Sequence, residues 1–345
     1  MLTALPLPRT PDPAAAPPLR WGILSTGLIA GRMVDALREH TRQVVTAVGS
    51  RALDRAQQFA QDKGIPNAYG SYEELVASAD VDIIYVASPH SEHAAHTLLA
   101  LNAGKPALVE KAFTRNRAEA EQLVAAARAN KVPVMEAIMT RHTPALDVVR
   151  QLIDDGYLGE VDTILADHGQ KLTHVPRMIY PELAGGALLD LGIYCVQLAV
   201  FLGGMPDKVV ADGALTDGGV DAHDSMICTG FPRLPRMLAA LHTTMLSKTP
   251  TVACIAGSEA RVELGSPFTT GGVELRYVSH DGAELQRPRP DMIDSGSLCY
   301  EAAHFAQLVA DGALDSPVMP AEESVAIMGL LDDVRAQIGL KYPGE

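Results

Sequence analysis

Positive charge is scarce in this chain: 28 lysines and arginines stand against 42 aspartates and glutamates in 345 residues, a formal net charge of -14. A field of that sign repels polyanions before contact forms, which argues against nucleic acid and acidic lipid surfaces as partners. Cysteine is nearly as sparse. Cys195, Cys228, Cys254 and Cys299 are the only four and none forms a CxxC pair, so neither a disulfide framework nor a zinc site is expected and the protein reads as reduced, cytoplasmic and metal-free. No uninterrupted apolar run reaches the roughly 18 residues that cross a bilayer. The most apolar stretch, "GGALLDLGIYCVQLAVFLGG", carries an aspartate and reads as a buried helix, so no membrane role is expected. A secretory pattern is missing too. The opening "MLTALPLPRTPDPAAAPPL" has six prolines in its first 18 residues and is expected to be a flexible leader over 1–19.

What remains exceeds one ordinary core of roughly 100 to 200 residues, and two domains are expected. From Arg20 onward, the runs "RWGILS", "QVVTAVGS", "DIIYVAS", "PALVE" and "VPVMEA" alternate with helical patterns that begin near Ile29, Leu53, Glu92 and Arg117. Near-continuous apolar strands separated by helices are what a parallel sheet covered on both faces requires. This predicts a doubly wound α/β domain over 20–141. Beyond it, "VDTILADH", "DKVVADGAL", "SMICTGF", "RMLAALHTTM", "TVACIAG", "ARVEL" and "GVELRYVS" follow one another with short links, which predicts an α+β domain over 142–345 with an open, mainly antiparallel sheet.

The segment "GILSTGLIAGRM" follows the first strand and opens the first helix, the context of a dinucleotide fingerprint. Ser25, Thr26, Gly27, Leu28 and Ile29 are the expected cofactor contacts, with Gly27 where the backbone must approach a pyrophosphate and Ala30 permitting close packing of helix on strand. The second strand ends "VGSRALDR". An NAD enzyme usually places an acid there for the ribose hydroxyls; Ser50 and Arg51 stand in its place, with Arg55 a turn later, and a guanidinium forks onto phosphate oxygens. NADP is therefore preferred over NAD.

Ligands of open α/β sheets lie beyond the carboxyl ends of the strands. Three such ends carry polar residues: "VASPH", with Ser88, Pro89 and His90; "VEKAF", with Glu110 and Lys111; and "MEAIMTR", with Glu136, Met139 and Arg141. Taken singly, each could equally be structural. Together, Glu110, Lys111, Glu136 and Arg141 are expected on one rim. In "AGGALLDLGIYCV", Asp190 and Tyr194 are four apart, on one face of an α-helix. A carboxylate and a phenol meeting a lysine can oxidise an alcohol: Lys111 would stabilise the Tyr194 phenolate, which takes the hydroxyl proton as hydride leaves the same carbon.

The blocks "RWGILSTGLIAG", "AYGSYEEL", "VEKAF", "MEAIMTRHTPA", "THVPR", "AGGALLDLGIYCVQL" and "LLDDVRAQIGLKYP" resemble the glucose-fructose oxidoreductase / inositol dehydrogenase / MocA family. Within it they are most similar to the branch of dimeric dihydrodiol dehydrogenases and NADP-dependent D-xylose 1-dehydrogenases. The resemblance covers nearly everything after residue 19. It implies an N-terminal Rossmann domain, a C-terminal sheet that makes a homodimer or tetramer, Lys111 and Tyr194 as the catalytic pair, and Asp190 and Arg141 lining the substrate pocket. His168, Arg177 and Met139 are carried over as further substrate contacts.

Three departures modify that picture. The family's Glu-Lys-Pro is Glu-Lys-Ala here, and a trans peptide before Ala112 is expected, with Lys111 still facing the nicotinamide. No aromatic stands at Met139, His142, Thr143 or His168, where the dihydrodiol branch has them, so a sugar or cyclic polyol, oxidised most simply at C1, is favoured. His90, His93 and His96 are spaced three apart, but further metal ligands are not evident; His90 and His93 are expected as cofactor contacts. An inositol- or keto-sugar-type dehydrogenase, a dihydrodiol dehydrogenase and a non-catalytic NADP sensor stay open as alternatives.

Overall fold

The computed structural model describes residues 2–287 and 294–345. It divides into two compact units: Pro11–Ile138 with Ser295–Met328, and Met1–Thr10 with Met139–Asp294 and Gly329–Glu345.

The first unit is built on six parallel strands, β1 (Arg20–Leu24), β2 (Val44–Gly49), β3 (Asn67–Tyr69), β4 (Ile83–Val86), β5 (Ala107–Glu110) and β6 (Val134–Ala137), in the order β3-β2-β1-β4-β5-β6. Every residue of β4, β5 and β6 is buried, as the unbroken apolar runs demand. The connecting helices are α1 (Leu28–His40), α2 (Leu53–Lys63), α3 (Tyr72–Ala77), α4 (His93–Asn102) and α5 (Arg117–Asn130). They start and stop on ordinary signals. Ser71 Oγ accepts from Glu74 N and Asn116 Oδ1 from Glu119 N, at 3.1 and 3.0 Å, while Gly64 closes α2 in the left-handed conformation. Strand order reverses between β1 and β4, which makes their carboxyl ends the crevice where such sheets take ligands. The sheet is the doubly wound Rossmann arrangement expected.

Two features of this unit differ from expectation. Residues 11–18, assigned to a flexible leader, are held: Arg42 donates to the carbonyls of Ala14, Ala15 and Ala16 at 2.7, 3.0 and 3.2 Å, and Gln43 Nε2 to Pro17 O at 2.8 Å. Proline-rich chain has carbonyls to offer, and arginine supplies the donors. Also, α9 (Leu298–Ala310) packs on α1 and β6, so this later segment joins the parallel sheet; its buried apolar side chains seek a core irrespective of chain order.

The second unit holds β7 (Val161–Gly169), β8 (Lys208–Leu215), β9 (Asp221–Thr229), β10 (Leu238–Thr244), β11 (Ala253–Gly257), β12 (Ala260–Leu264), β13 (Leu275–Ser279) and β14 (Glu284–Arg287), in the order β14-β13-β12-β11-β7-β10-β9-β8. Only the β7–β10 pairing is parallel. With α6 (Pro144–Asp154), α7 (Pro176–Ile179), α8 (Ile193–Gly203) and the end of α10 (Ala321–Ile338), it is the expected α+β unit with an open sheet. Burial alternates along the strands: one face lies under α8, and the other carries a cross-strand row of Cys254, Leu165, Ala240, Ile227 and Val210, of which Leu165, Ile227 and Val210 are exposed.

The apolar stretch opens with a π-turn, Leu188–Gly192, before α8 begins. By length and hydropathy, residues 181–203 could cross a membrane, but most of the stretch is buried inside the protein, as a core helix is. Asp190 and Tyr194 thus do not share one regular α-helix; the wider turn between them resets the angular offset that a four-residue spacing predicts.

Candidate active site

In the first unit the crevice starts at Ser25. Its φ of +95° takes the backbone region that the dinucleotide fingerprint normally fills with glycine, and its amide donates to Gly49 O at 3.0 Å. Its side chain bonds Tyr72 of α3. Gly27 caps α1 without a side-chain hydrogen bond. A β-carbon there would meet no atom within 4 Å, so nothing in this chain's own packing requires the glycine. Uncapped helix amides beside open space suit an anion, and these residues fit a pyrophosphate.

Ser50 is buried, and its amide is tied to Tyr69 O at 3.1 Å. Arg51 and Arg55 are exposed, and among the described residues Arg51 has no hydrogen-bond or ion-pair partner. Its charge reaches His96, whose pKa burial lowers first and Arg51 further, while Glu92 opposes them. His96 packs edge-on to Tyr72 at 4.5 Å, and His90 edge-on to His93 at 5.5 Å.

Lys111 leaves β5 half-buried. The Lys111–Ala112 peptide is cis, which corrects the expectation of trans. The turn is set by its partners: Ala112 O lies 2.8 Å from His93 Nδ1, and Phe113 N donates to Glu136 Oε1 at 3.0 Å. His93 is buried, its Nε2 lies 2.8 Å from Ser88 O, and burial lowers its pKa to about 4. It braces the Lys111 turn and the end of β4, and both of its ring nitrogens lie against backbone carbonyls of the first unit. Glu110 and Glu136 are likewise buried. Glu110 accepts from Tyr85 Oη, and Glu136 from Phe113 N and, at 3.1 Å, Ser324 Oγ. They face the interior because their partners lie on neighbouring elements, out of reach of any reading of adjacent residues.

Glu301 of α9 completes this interior cluster. Burial first, then Glu110 and Glu136, push its carboxyl well above the usual range, which favours the protonated form. A native pKa raised in this way contributes stability that is full below about 4.5 and lost as pH rises toward the native value. Glu301→Gln is therefore expected to melt close to wild type in mild acid and above it at pH 8. Thermal denaturation at the two values checks this, and a wild-type advantage growing with pH would refute it.

In the second unit, Arg177 Nη1 meets Asp190 Oδ1 at 2.8 Å, with Arg177 48% and Asp190 6% exposed by side chain. The pairing lets a buried carboxylate persist and leaves part of the guanidinium toward solvent. His168 is buried, its Nδ1 3.2 Å from Leu191 O and its Nε2 3.0 Å from Gln170 Nε2. Its ring stands edge-on to partly exposed Tyr194, centroids 5.3 Å apart. Four of the expected substrate residues are thus brought together. Met139 and Arg141 sit on a 3-10 turn of this unit, so Arg141 does not share the compact unit of Glu110, Lys111 and Glu136. Its guanidinium lies over the Phe201 ring at 5.5 Å.

Residues 19–138 match the model of the oxidoreductase family with an NAD-binding Rossmann fold, and 147–263 the GFO/IDH/MocA C-terminal domain. The chain belongs to the GFO/IDH/MocA oxidoreductase family. It is 37% identical to human trans-1,2-dihydrobenzene-1,2-diol dehydrogenase over 331 residues, 94% of this chain and 98% of the relative. The 3-ketoreductase KijD10 from Actinomadura kijaniata, solved with NADP and TDP-benzene, matches with a TM-score of 0.81 and 28% identity over 93% of this chain and 98% of its own. Aldose-aldose oxidoreductase from Caulobacter crescentus, at 24% identity and a TM-score of 0.82 over 93% of this chain and 97% of its own, shows the same fold. This member of the GFO/IDH/MocA family is an oxidoreductase, related to dihydrodiol dehydrogenases and sugar ketoreductases.

Sequence reasoning missed Tyr72, Ser324, Glu301 and Gln170 as supports of the expected residues. Tyr72 had a signal, an aromatic opening a short helix one strand away from the fingerprint. The others had none, since Gln170 and Ser324 stand among polar neighbours and Glu301 differs from a solvated acid only by its burial.

Proposed function

We propose that the protein is an NADP-dependent dehydrogenase that oxidises a hydroxyl of a pyranose sugar or cyclic polyol, most simply at C1, to give a lactone. The observation that carries this is the polar group of His168, Arg177, Asp190 and Tyr194, suited to a ring bearing several hydroxyls. In this reading the first unit holds the cofactor through the Ser25–Gly27 turn, Ser50, Arg51, Ser88, Pro89 and His90, while the second unit holds the substrate and, through the open sheet face, a second copy of the chain.

Lys111 and Tyr194 form the acid-base pair. Tyr194 takes the hydroxyl proton, the Lys111 ammonium favours the phenolate, and Asp190 with Arg177 orients the remaining hydroxyls. The bound nicotinamide supplies the hydride acceptor. In the KijD10 ketoreductase, variants with a tyrosine changed to phenylalanine and a lysine changed to alanine have been solved, which supports the choice of residue types.

Reduction of NADP, followed by absorbance against D-xylose, D-glucose, inositols, anhydrosugars and a trans-dihydrodiol, tests the proposal. A pyranose should exceed the dihydrodiol by roughly tenfold in kcat/KM, a difference of about 1.4 kcal/mol. The second reading, a dihydrodiol dehydrogenase, is favoured by the human relative and wins if the order is reversed.

Cofactor choice has its own test. A charge-assisted hydrogen bond contributes about 1.5–3 kcal/mol, so Arg51→Ala should weaken NADP binding by roughly 10- to 100-fold. NAD affinity should stay within about threefold, since the lost contact is to the 2′-phosphate alone. Fluorescence titration with both nucleotides reads the split, and equal losses would remove Arg51 from this role.

A further inference from the structure

Two acids of the second unit serve no step above. Asp221 and Asp224, near the start of β9, are 0% and 1% exposed, and neither has a basic partner among the described residues. Asp221 Oδ2 accepts from Leu188 N, the first residue of the π-turn, at 2.6 Å. Two glycines make room for the pair. A β-carbon on Gly186 would fall 1.8 Å from Asp221 Oδ1, and one on Gly213 of β8 2.4 Å from Asp224 Oδ1. The neighbouring Gly185 O accepts from Tyr342 Oη at 2.9 Å. Tyr342 is buried in turn under the Arg335 guanidinium, 5.0 Å from its ring centroid, and Arg335 is paired with Asp332 and Glu345 at 2.5 and 2.6 Å. The short segment 185–188 is thus held by an aspartate on one side and a phenol on the other, and it leads directly into Asp190 and Tyr194.

We propose that Asp221, Asp224 and Tyr342 are positioning residues that clamp 185–188 and so aim Asp190 and Tyr194 at the substrate. The inference rests on the roles given to those two residues under Proposed function. The two carboxyl groups are buried close enough to influence each other and have no cation beside them among the described residues, which disfavours charge on both. Burial, then Asp221, pushes Asp224 up to about 9, and burial raises Asp221 as well. The titratable and charged groups facing the pair are Tyr342, whose phenol burial holds well above its ordinary value, and beyond it Arg335 and Glu345. Asp224 is therefore held in its protonated form at neutral pH beside Asp221. Above about pH 9 a charge on Asp224 enters this buried site and the clamp loosens.

The sign for stability follows. Asp224 contributes fully below about 3.8, and this is lost as pH climbs through about 9. Asp224→Asn, which cannot ionise, should escape that loss.

Hydrogen exchange of the 183–195 segment, with steady-state kinetics on the best substrate of the panel, provides the test. Tyr342→Phe removes one hydroxyl. It should raise exchange of the segment and lower kcat, each by up to roughly tenfold, the size of one hydrogen bond, with KM and NADP affinity held within about twofold. Asp221→Ala should do both more strongly. Asp224→Asn should match wild type at neutral pH and keep its protection and kcat one unit above about pH 9, where wild type loses them. Wild-type exchange and kcat in Tyr342→Phe, together with an Asp224→Asn pH profile like that of wild type, would overturn the clamp even if Asp221→Ala fails to fold. Exchange that responds as expected in a protein that turns over nothing in the panel would uphold the clamp and refute the functional reading instead.

Discussion

Lys111→Met is expected to lower kcat by roughly 10³-fold, and Tyr194→Phe by about 10² to 10⁴, the range of a lost acid-base group. In both, NADP affinity should change by no more than about threefold, because an interaction made only as the proton moves contributes nothing to binding the cofactor. The structure gives reason to expect the folds to survive. The Lys111 turn is held through the Ala112 carbonyl and the Phe113 amide by His93 and Glu136, none of which involves the lysine side chain. The Tyr194 ring keeps its edge-on contact with His168 when the hydroxyl is removed. Melting temperatures within a few degrees of wild type would show that the loss lies in chemistry. Unchanged turnover in either variant would withdraw the role assigned to that residue.

The contrast between what could and could not be read from the chain is physical. Five of the six parallel strands were visible because burial on both faces makes them nearly continuous apolar runs. β3, only Asn67–Tyr69, and β14, Glu284–Arg287, were not: both are edge strands without an apolar run, and β14 has no buried residue. β9 was read from Ser225, whereas it begins at Asp221, because two acids in four residues look like a turn unless their burial is known. Lys111, Gly27 and Arg51 could be picked out because their positions follow from strand ends, which local periodicity marks. The internal partners of Glu110, Glu136 and His93 were not legible for the same reason: a strand end marks where a residue sits, and the partner it bonds comes from elsewhere in the chain. The π-turn was equally hidden. Nothing in the spacing of Asp190 and Tyr194 distinguishes a fourth from a fifth residue per turn.

Gly186→Ala is expected to cost the protein several kcal/mol of stability, far more than a typical added methyl. Gly186 has φ +114°, a region that costs a residue with a β-carbon about 1–3 kcal/mol. The added carbon would lie 1.8 Å from Asp221 Oδ1 and 2.6 Å from its Cγ, and overpacking of that kind costs a further 1–3 kcal/mol or so. Relief is blocked on both sides. Asp221 cannot retreat without releasing Leu188 N, and the backbone cannot shift toward Met178, whose carbonyl oxygen a β-carbon on Gly185 would meet at 2.6 Å. A total of about 2–6 kcal/mol should lower the melting temperature by on the order of 10 °C. Gly27→Ala is the control. It also adds one methyl to a glycine of the expected functional residues, but at φ -77° and with no protein atom within 4 Å. That variant should melt like wild type and instead weaken NADP binding by roughly tenfold or more, because the methyl occupies the space through which a pyrophosphate reaches the α1 amides. Differential scanning calorimetry and nucleotide titration on the pair separate a glycine that the fold requires from one that only a ligand requires. Identical behaviour of the two variants would mean that the open space at Gly27 has no ligand to receive.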